Sequence, residues 1–340
     1  MRDMIWAFFL KLGANMWGDE GGDNRYAPFF PRMITDARVW EEVVDFLPAQ
    51  GFNTVLIDVG DGVQYDSHPE VSIPGAWDKD RVKQALDHMR SVGLTPIPKL
   101  NFSTAHDAWL KEYSRMVATP VYYRVCEDLI REVAELFGYP AYFHLGLDEE
   151  APDNQKTFAF ACARQKDLWW HDAYFFFDVC QKLGARPWIW ADSCWHHPEE
   201  FFAKMPRSVL QSNWGYDPIL RNPDGTVKQK HFLAYQALEE HGFDQVPTSS
   251  TCYTWYNSLE TMELAKEVIA PERLVGLMTA AWHYTVPEAK YALLNDATRF
   301  GYAKRDVFPE YCGADTSDAG RFSVAAVMGE SDRAAQSQPR

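Results

Sequence analysis

Acidic and aromatic residues recur at intervals along this chain, each group just after a short apolar run. Asn15, Trp17 and Asp19 follow the first run; Asp58, Asp61 and Tyr65 the second; Asn101 and His106 the third; His144, Asp148, Glu149 and Glu150 the fourth. Trp190, Asp192 and Trp195 follow the fifth, and Asn213, Trp214, Tyr216 and Asp217 the sixth. The last two supply Tyr253, Trp255, Tyr256 and Asn257, then Trp282, His283 and Tyr284. Carboxyl groups give and take protons, and indole faces hold the C–H face of a sugar ring. Gathered in one place, these residue types would suit cleavage of a glycosidic bond. An aspartate at a strand end is as readily a helix cap. Trp190, Trp214, Trp255 and Trp282, at four consecutive run ends, are harder to assign to a core alone.

The apolar runs predict strands over 6–12, 54–58, 95–102, 142–148, 187–192, 209–214, 246–255 and 274–282. Between them lie amphipathic helices. One carries Val39, Trp40, Val43, Val44 and Leu47 on a single face; others carry Val82, Leu86 and Met89, and Val125, Leu129, Ile130, Val133 and Leu136. Five helical segments end in a glycine that leads into the next run: Gly51, Gly93, Gly138, Gly184 and Gly242. Parallel strands need crossover helices, so this punctuation predicts a (β/α)8 barrel over residues 1–311. Residues 312–340, rich in Gly, Ser, Ala, Asp and Gln without periodicity, are expected to form a flexible C-terminal extension. Pro96 and Pro98 resist the scheme, since a closed barrel has no edge strand for them. In a barrel, the residues that follow the strands share one mouth.

Composition narrows the classes. With 33 Lys+Arg against 48 Asp+Glu the net charge is −15, which argues against nucleic-acid or anionic-membrane partners. The 13 Trp, 16 Tyr and 21 Phe make up 15% of the chain, enough for a large core with rings to spare. Six scattered cysteines show no C-x-x-C spacing and are expected to be reduced. Neither a dinucleotide nor a P-loop motif occurs, so no cofactor is expected. His196-His197 with Glu199 and Glu200 invites a metal reading, but H-E-x-x-H is absent; surface and capping roles are expected, and no metal. Met4–Leu10, broken by Lys11, is too short to span a membrane and lacks a cleavage site, so a cytoplasmic location is expected.

The segment His144-Leu145-Gly146-Leu147-Asp148-Glu149 resembles the H-x-G-G-D-E signature of glycoside hydrolase family 20, the β-N-acetylhexosaminidases, with Leu147 in place of the second glycine. Asn53–Asp58 with Asp61 is similar to that family's second strand and acidic loop. Ile97-Pro98-Lys99 is similar to its I-P-E passage, and Ser103–His106 to its P-G-H. The resemblance covers about residues 1–290 and implies a retaining exo-glycosidase that removes terminal β-linked N-acetylhexosamine. In this mechanism the sugar's own 2-acetamido oxygen is the nucleophile. Glu149 would be the acid/base, Asp148 would orient the acetamide N–H, and Tyr253, with Tyr256 in reserve, would hold the acetamide carbonyl. His144, His106, Asp61, Trp190, Asp192, Trp214, Trp255 and Trp282 would bind or support the sugar.

Three positions depart from the family. Its strand-1 arginine has no counterpart between Trp6 and Trp17, its strand-8 glutamate gives way to His283 and Tyr284, and Lys99 replaces the strand-3 glutamate. Two alternatives therefore stay open. One is a glycosidase for a sugar without the acetamide, such as a β-galactoside, with Asp192 or Asp61 as second carboxylate. The other is a carbohydrate-binding barrel without turnover. Oligomeric state is not legible in the sequence.

Overall fold

Each apolar run becomes a strand, and every paired strand is parallel to its neighbour. The strands are β1 (Ile5–Lys11), β2 (Thr54–Asp58), β3 (Thr95–Lys99), β4 (Tyr142–His144), β5 (Arg186–Trp190), β6 (Leu210–Ser212), β7 (Thr248–Ser249) and β8 (Gly276–Ala280). The computed structural model describes residues 3–24 and 27–312; the extension expected over 312–340 lies, apart from its first residue, outside them. The strand order is 6-5-4-3-2-1-8-7. Parallel bridges Gln211–Gln245 and Trp214–Thr248 join β6 to β7 and complete a (β/α)8 barrel.

Nine helices are described around the sheet: α1 (Ala37–Phe46), α2 (Lys79–Ser91), α3 (Pro120–Leu136), α4 (Asp167–Lys182), α5 (Ser193–His196), α6 (Pro198–Lys204), α7 (Lys230–Glu240), α8 (Asn257–Val268) and α9 (Lys290–Val307). Local chemistry sets their starts. Asp36, Asp78 and Thr119 accept the backbone N–H three residues on, capping α1, α2 and α3. The predicted faces are the buried ones, with Val39, Trp40, Val43 and Val44 inward on α1 and Val82, Leu86 and Met89 inward on α2. All five helix-ending glycines have a left-handed φ. No helix among the described residues is long and apolar enough to cross a membrane. All six cysteines are free.

Alternation along the strands makes two cores. Ala7, Phe9, Leu56, Ile97, Trp188, Leu210 and Met278 fill the barrel, while Trp6, Phe8, Leu10, Val55, Ile57, Phe143 and Ile189 pack under the helices. Burying each large side chain contributes roughly 1.5–3 kcal/mol. The register also explains the prolines. Thr95 N–H and Lys99 C=O bond to the β2 side, and Leu100 N–H to His144 of β4. Even-numbered residues of β3 therefore face β4, and the β3–β4 register begins only at Lys99–His144. The missing donors of Pro96 and Pro98 fall before that ladder starts, where no bond is forfeited.

The same register lines up Lys11, Asp58, Lys99 and His144 on four adjacent strands, a polar row buried beneath the barrel mouth. The Lys99 ammonium is paired with the Asp58 carboxylate, both out of contact with water. Burial pushes the Lys11 amine well below its ordinary pKa, and its Nζ rests 3.1 Å from the centre of the Trp17 ring. Removing one member of a buried pair leaves the other uncompensated. Asp58→Asn is thus expected to destabilise the fold by about 3–5 kcal/mol. Denaturant unfolding at neutral pH measures this, and a loss below 1 kcal/mol would show that the row is not held by charge.

Candidate active site

The mouth of the barrel holds a cavity of about 630 Å3. Asp148 and Glu149 reach it because β4 stops early. Its predicted extent runs to Asp148, yet the chain leaves the strand after His144. Gly146 and Leu147 then take left-handed φ values of 72° and 67°, and Glu149 one of 52°. At Gly146 a side chain is impossible, since a Cβ there would sit 1.8 Å from Asn101 Oδ1. His144, fully buried, accepts the Gly146 N–H on Nδ1 at 3.0 Å and so fixes the turn. Burial, reinforced by Lys99, keeps its imidazole neutral by pushing its pKa well down. His144, expected beside the acid pair, shapes the site from below and does not line the cavity.

One imidazole touches both carboxylates. His106 Nδ1 lies 3.2 Å from Asp148 Oδ1, and Nε2 lies 3.4 Å from Glu149 Oε2. Burial alone would lower the pKa of His106, but Asp148 and then Glu149 outweigh it and hold the ring protonated up to about 10. Burial would likewise raise Asp148, yet His106, Lys99 and an Asn101 hydrogen bond of 2.9 Å bring it down to about 2. Asp148 is ionised at neutral pH, and its Oδ2 carries no hydrogen bond from the described residues. Asp192 is the opposite case: burial, then the charge of Asp148, raises its carboxyl to about 8. Its Oδ2 accepts the Glu149 N–H at 2.9 Å. Two neighbouring aspartates thus carry different charges, set by environment.

His106, Asp148 and Glu149 place one ligand atom each within 4.8 Å of one another, the group a metal ion would take. A metal would have to displace the proton that His106 retains up to about pH 10. Glu150 points away and is spent: Arg164 binds it through Nε and Nη2 and bonds Asp172 as well.

Aromatic rings make most of the remaining wall. Trp190 and Trp282 lie 5.7 Å apart at the floor, with Trp17 6.1 Å beyond Trp282. Trp214, Tyr216 and Tyr253 stack in a ladder, the last two 5.5 Å apart and 5° from parallel. Tyr253, 70% exposed, forms the outer rung. Trp190 Nε1 is buried with no hydrogen-bond partner among the described residues, while Trp282 Nε1 faces the buried Tyr216 hydroxyl. A buried donor without a partner beside the cavity is a group that a polar ligand can satisfy.

Of the expected site residues, the structure brings Glu149, Asp148, His106, Trp190, Trp214, Trp282 and Tyr253 together, with Asp192 and His144 against them. Two lie elsewhere. Asp61 is buried with both oxygens engaged, by Ala14 N–H at 2.8 Å and by Asn15 Nδ2 at 2.8 Å, and ties two loops together. Trp255 and the reserve tyrosine Tyr256 line a separate groove against α9, with the Arg299 guanidinium 5.0 Å over the Trp255 ring. Asn154 and Phe158, from the loop before α4, join the cavity without a sequence signal, because no periodicity places a long loop.

No family model matches the sequence, and no curated protein matches it. Solved structures do match in fold. The β-N-acetylhexosaminidase of Bacteroides fragilis superposes with a TM-score of 0.57 at 15% identity, covering 86% of this chain and 65% of its own. The chitobiase of Flavobacterium johnsoniae gives 0.58 at 17%, covering 78% and 46%. The family 20 β-N-acetylhexosaminidase of Streptomyces coelicolor gives 0.58 at 13%, covering 87% and 63%. This chain spans less than two thirds of the length of each. The barrel resembles the fold of glycoside hydrolase family 20 catalytic domains.

Proposed function

We propose that this barrel is a divergent family 20 glycosidase, a retaining exo-enzyme that hydrolyses terminal β-linked N-acetylhexosamine by substrate assistance. The observation that carries this reading is the single imidazole shared by Asp148 and Glu149. Because His106 touches both, the two carboxylates stand on one wall. Ordinary glycosidases set their two carboxyls on either side of the scissile bond. Asp61 and Asp192, the alternatives for an opposite carboxylate, are engaged with backbone amides below the mouth. The nucleophile is then best supplied by the substrate.

The geometry supports the roles that the resemblance implies. Glu149, whose side chain is 41% exposed and faces the cavity, protonates the glycosidic oxygen as the bond to the anomeric carbon breaks. The acetamide carbonyl oxygen closes on that carbon to give an oxazolinium ion. Asp148, ionised, accepts the acetamide N–H on its free Oδ2 and stabilises the positive charge. Tyr253 closes over the acetamide carbonyl, with the buried Tyr216 hydroxyl beneath it as a second donor. Glu149 then takes a proton from water, which opens the ring. Two inversions give net retention. The carbohydrate is the partner this site implies; nothing in the chemistry calls for a cofactor.

Aryl N-acetyl-β-glucosaminide and -galactosaminide assays test the reading. Glu149→Gln is expected to lower kcat/KM by about 10²–10⁴, Asp148→Asn to lower kcat, and an N-acetyl thiazoline to inhibit. Hydrolysis undiminished in Glu149→Gln, or insensitive to the thiazoline, would sink it. Asp192 adds a test on stability. Its carboxyl ionises near 3.9 when unfolded but only at about 8 when folded, so the folded state loses stability as pH rises across that window. Asp192→Asn keeps an acceptor for the Glu149 N–H and removes the loss. Denaturant unfolding should show the variant gaining on the wild type, by more at pH 8 than at pH 5; an equal difference at both would refute a neutral Asp192.

A further inference from the structure

Asn257, one of the polar residues after the seventh apolar run, does not line the cavity at the barrel mouth. It opens α8 and is fully buried. Its side-chain amide makes two hydrogen bonds. Oδ1 accepts the Ser250 N–H at 2.9 Å, and Nδ2 donates to the Gly215 carbonyl at 2.9 Å. Turning the amide over would set donor against donor and acceptor against acceptor, so its orientation is fixed.

Those two partners belong to one ladder. β6 and β7 run parallel, and Thr248 N–H bonds to the Asn213 carbonyl at 2.9 Å. Bonds in a parallel ladder are evenly spaced, so the next from β7 would run directly from Ser250 N–H to Gly215 C=O. The Asn257 amide stands between them instead. A side chain from α8 thus takes the place of one main-chain bond and holds the two strand ends apart by the width of an amide. The positions of the rings follow. Gly215 lies between Trp214 and Tyr216, and Ser250 leads through Thr251 and Cys252 to Tyr253. The wedge therefore joins the two halves of the stack in which Tyr216 and Tyr253 lie 5.5 Å apart. Both halves are also backed from behind. A Cβ at Gly215 would come 2.5 Å from the His231 ring of α7, and Asp296 of α9 accepts the Thr251 N–H at 2.9 Å.

We propose that Asn257 is a positioning residue: as a wedge between β6 and β7 it sets the Tyr216–Tyr253 pair that receives the acetamide carbonyl. The inference rests on the substrate-assisted reading above. It deepens that reading, because it names the buried group that aims the acetamide at the anomeric carbon without touching the sugar.

The experiment uses the full chain, an aryl N-acetyl-β-hexosaminide, and the variants Asn257→Ala and Asn257→Asp. In Asn257→Ala the gap is free to close on a direct Ser250–Gly215 bond. A misplacement on the order of 1 Å should lower kcat about tenfold to hundredfold, with KM within about twofold. Asn257→Asp keeps the acceptor for Ser250 but sets a carboxylate against the Gly215 carbonyl; once protonated, the same carboxyl donates to it. Burial raises such a carboxyl, so the ratio of variant to wild-type kcat should climb about fivefold from about pH 8 to about pH 5. Glu149, Asp296 and Tyr253 are common to both proteins, so the ratio isolates position 257. A merely structural role would lower the yield of folded enzyme, followed by circular dichroism, and leave kcat per folded molecule unchanged at every pH. If Asn257→Ala does not fold, the pH ratio of Asn257→Asp decides. Wild-type kcat in the folded variants, or a loss in Asn257→Asp that is the same at every pH, overturns the inference and spares the roles of Glu149 and Asp148. A wild type that cleaves no N-acetylhexosaminide overturns both.

Discussion

The contact on which the site depends is the buried imidazolium of His106 between two carboxylates. Neither Asp148 nor His106 would keep its charge at that depth alone, since burial opposes both. Each is charged because the other is, and the row beneath extends the balance, with Lys99 paired to Asp58 and acting on Asp148 from below. Paired charges of this kind add little net stability, but they are costly to break, so they fix geometry. The consequence is a division between neighbours. Asp148 is ionised, Asp192 is neutral, and the main chain of Glu149 is suspended between them by the Asp192 hydrogen bond.

The backbone that delivers this arrangement is strained on purpose. Three residues of the β4 exit, Gly146, Leu147 and Glu149, have positive φ. For Leu147 that state costs roughly 1–2 kcal/mol, and its side chain, 2% exposed in the outer core, regains about as much. This explains how leucine stands where the resembling signature carries glycine, whereas Gly146, pressed against Asn101, has no such latitude. The same Asn101 donates to Asp148, so the tight approach and the carboxylate's orientation are one constraint.

How much was legible follows from which physical rules are local. Strand and helix periodicity are local, and all eight strands, the inward faces of α1 to α3 and the five glycine turns could be read directly. Even the prolines of β3 obey a local rule once parity is known. Side chains beyond a strand end obey none. Trp255 lies two residues after Tyr253, the spacing of one strand face, but β7 ends at Ser249 and the intervening turn sends the two rings to different sides of the chain. Asp61 was a reasonable site acid by type, and what removed it was two loop amides that only the folded chain brings near. The depth of His144 is set by the early end of β4, which no local pattern marks.

The missing strand-1 arginine and strand-8 glutamate acquire a physical meaning in this setting. Charged grips on a sugar's outer hydroxyls are absent from the sequence positions that resemble the family, and Lys11 is turned beneath Trp17 with its amine in the ring's face. What the cavity offers in their stead is neutral: the Trp190 indole N–H and the facing Trp282 indole and Tyr216 phenol, buried among stacked rings. Neutral donors discriminate by shape and hydrogen-bond direction and carry a smaller desolvation cost than charges. Under the proposed reading, the ionised group that the sugar meets is Asp148, where positive charge develops during reaction, and ring faces and neutral donors hold the rest of the sugar. Such a site would tolerate changes at the outer hydroxyls and insist on the acetamide, because only the acetamide meets an ionised group.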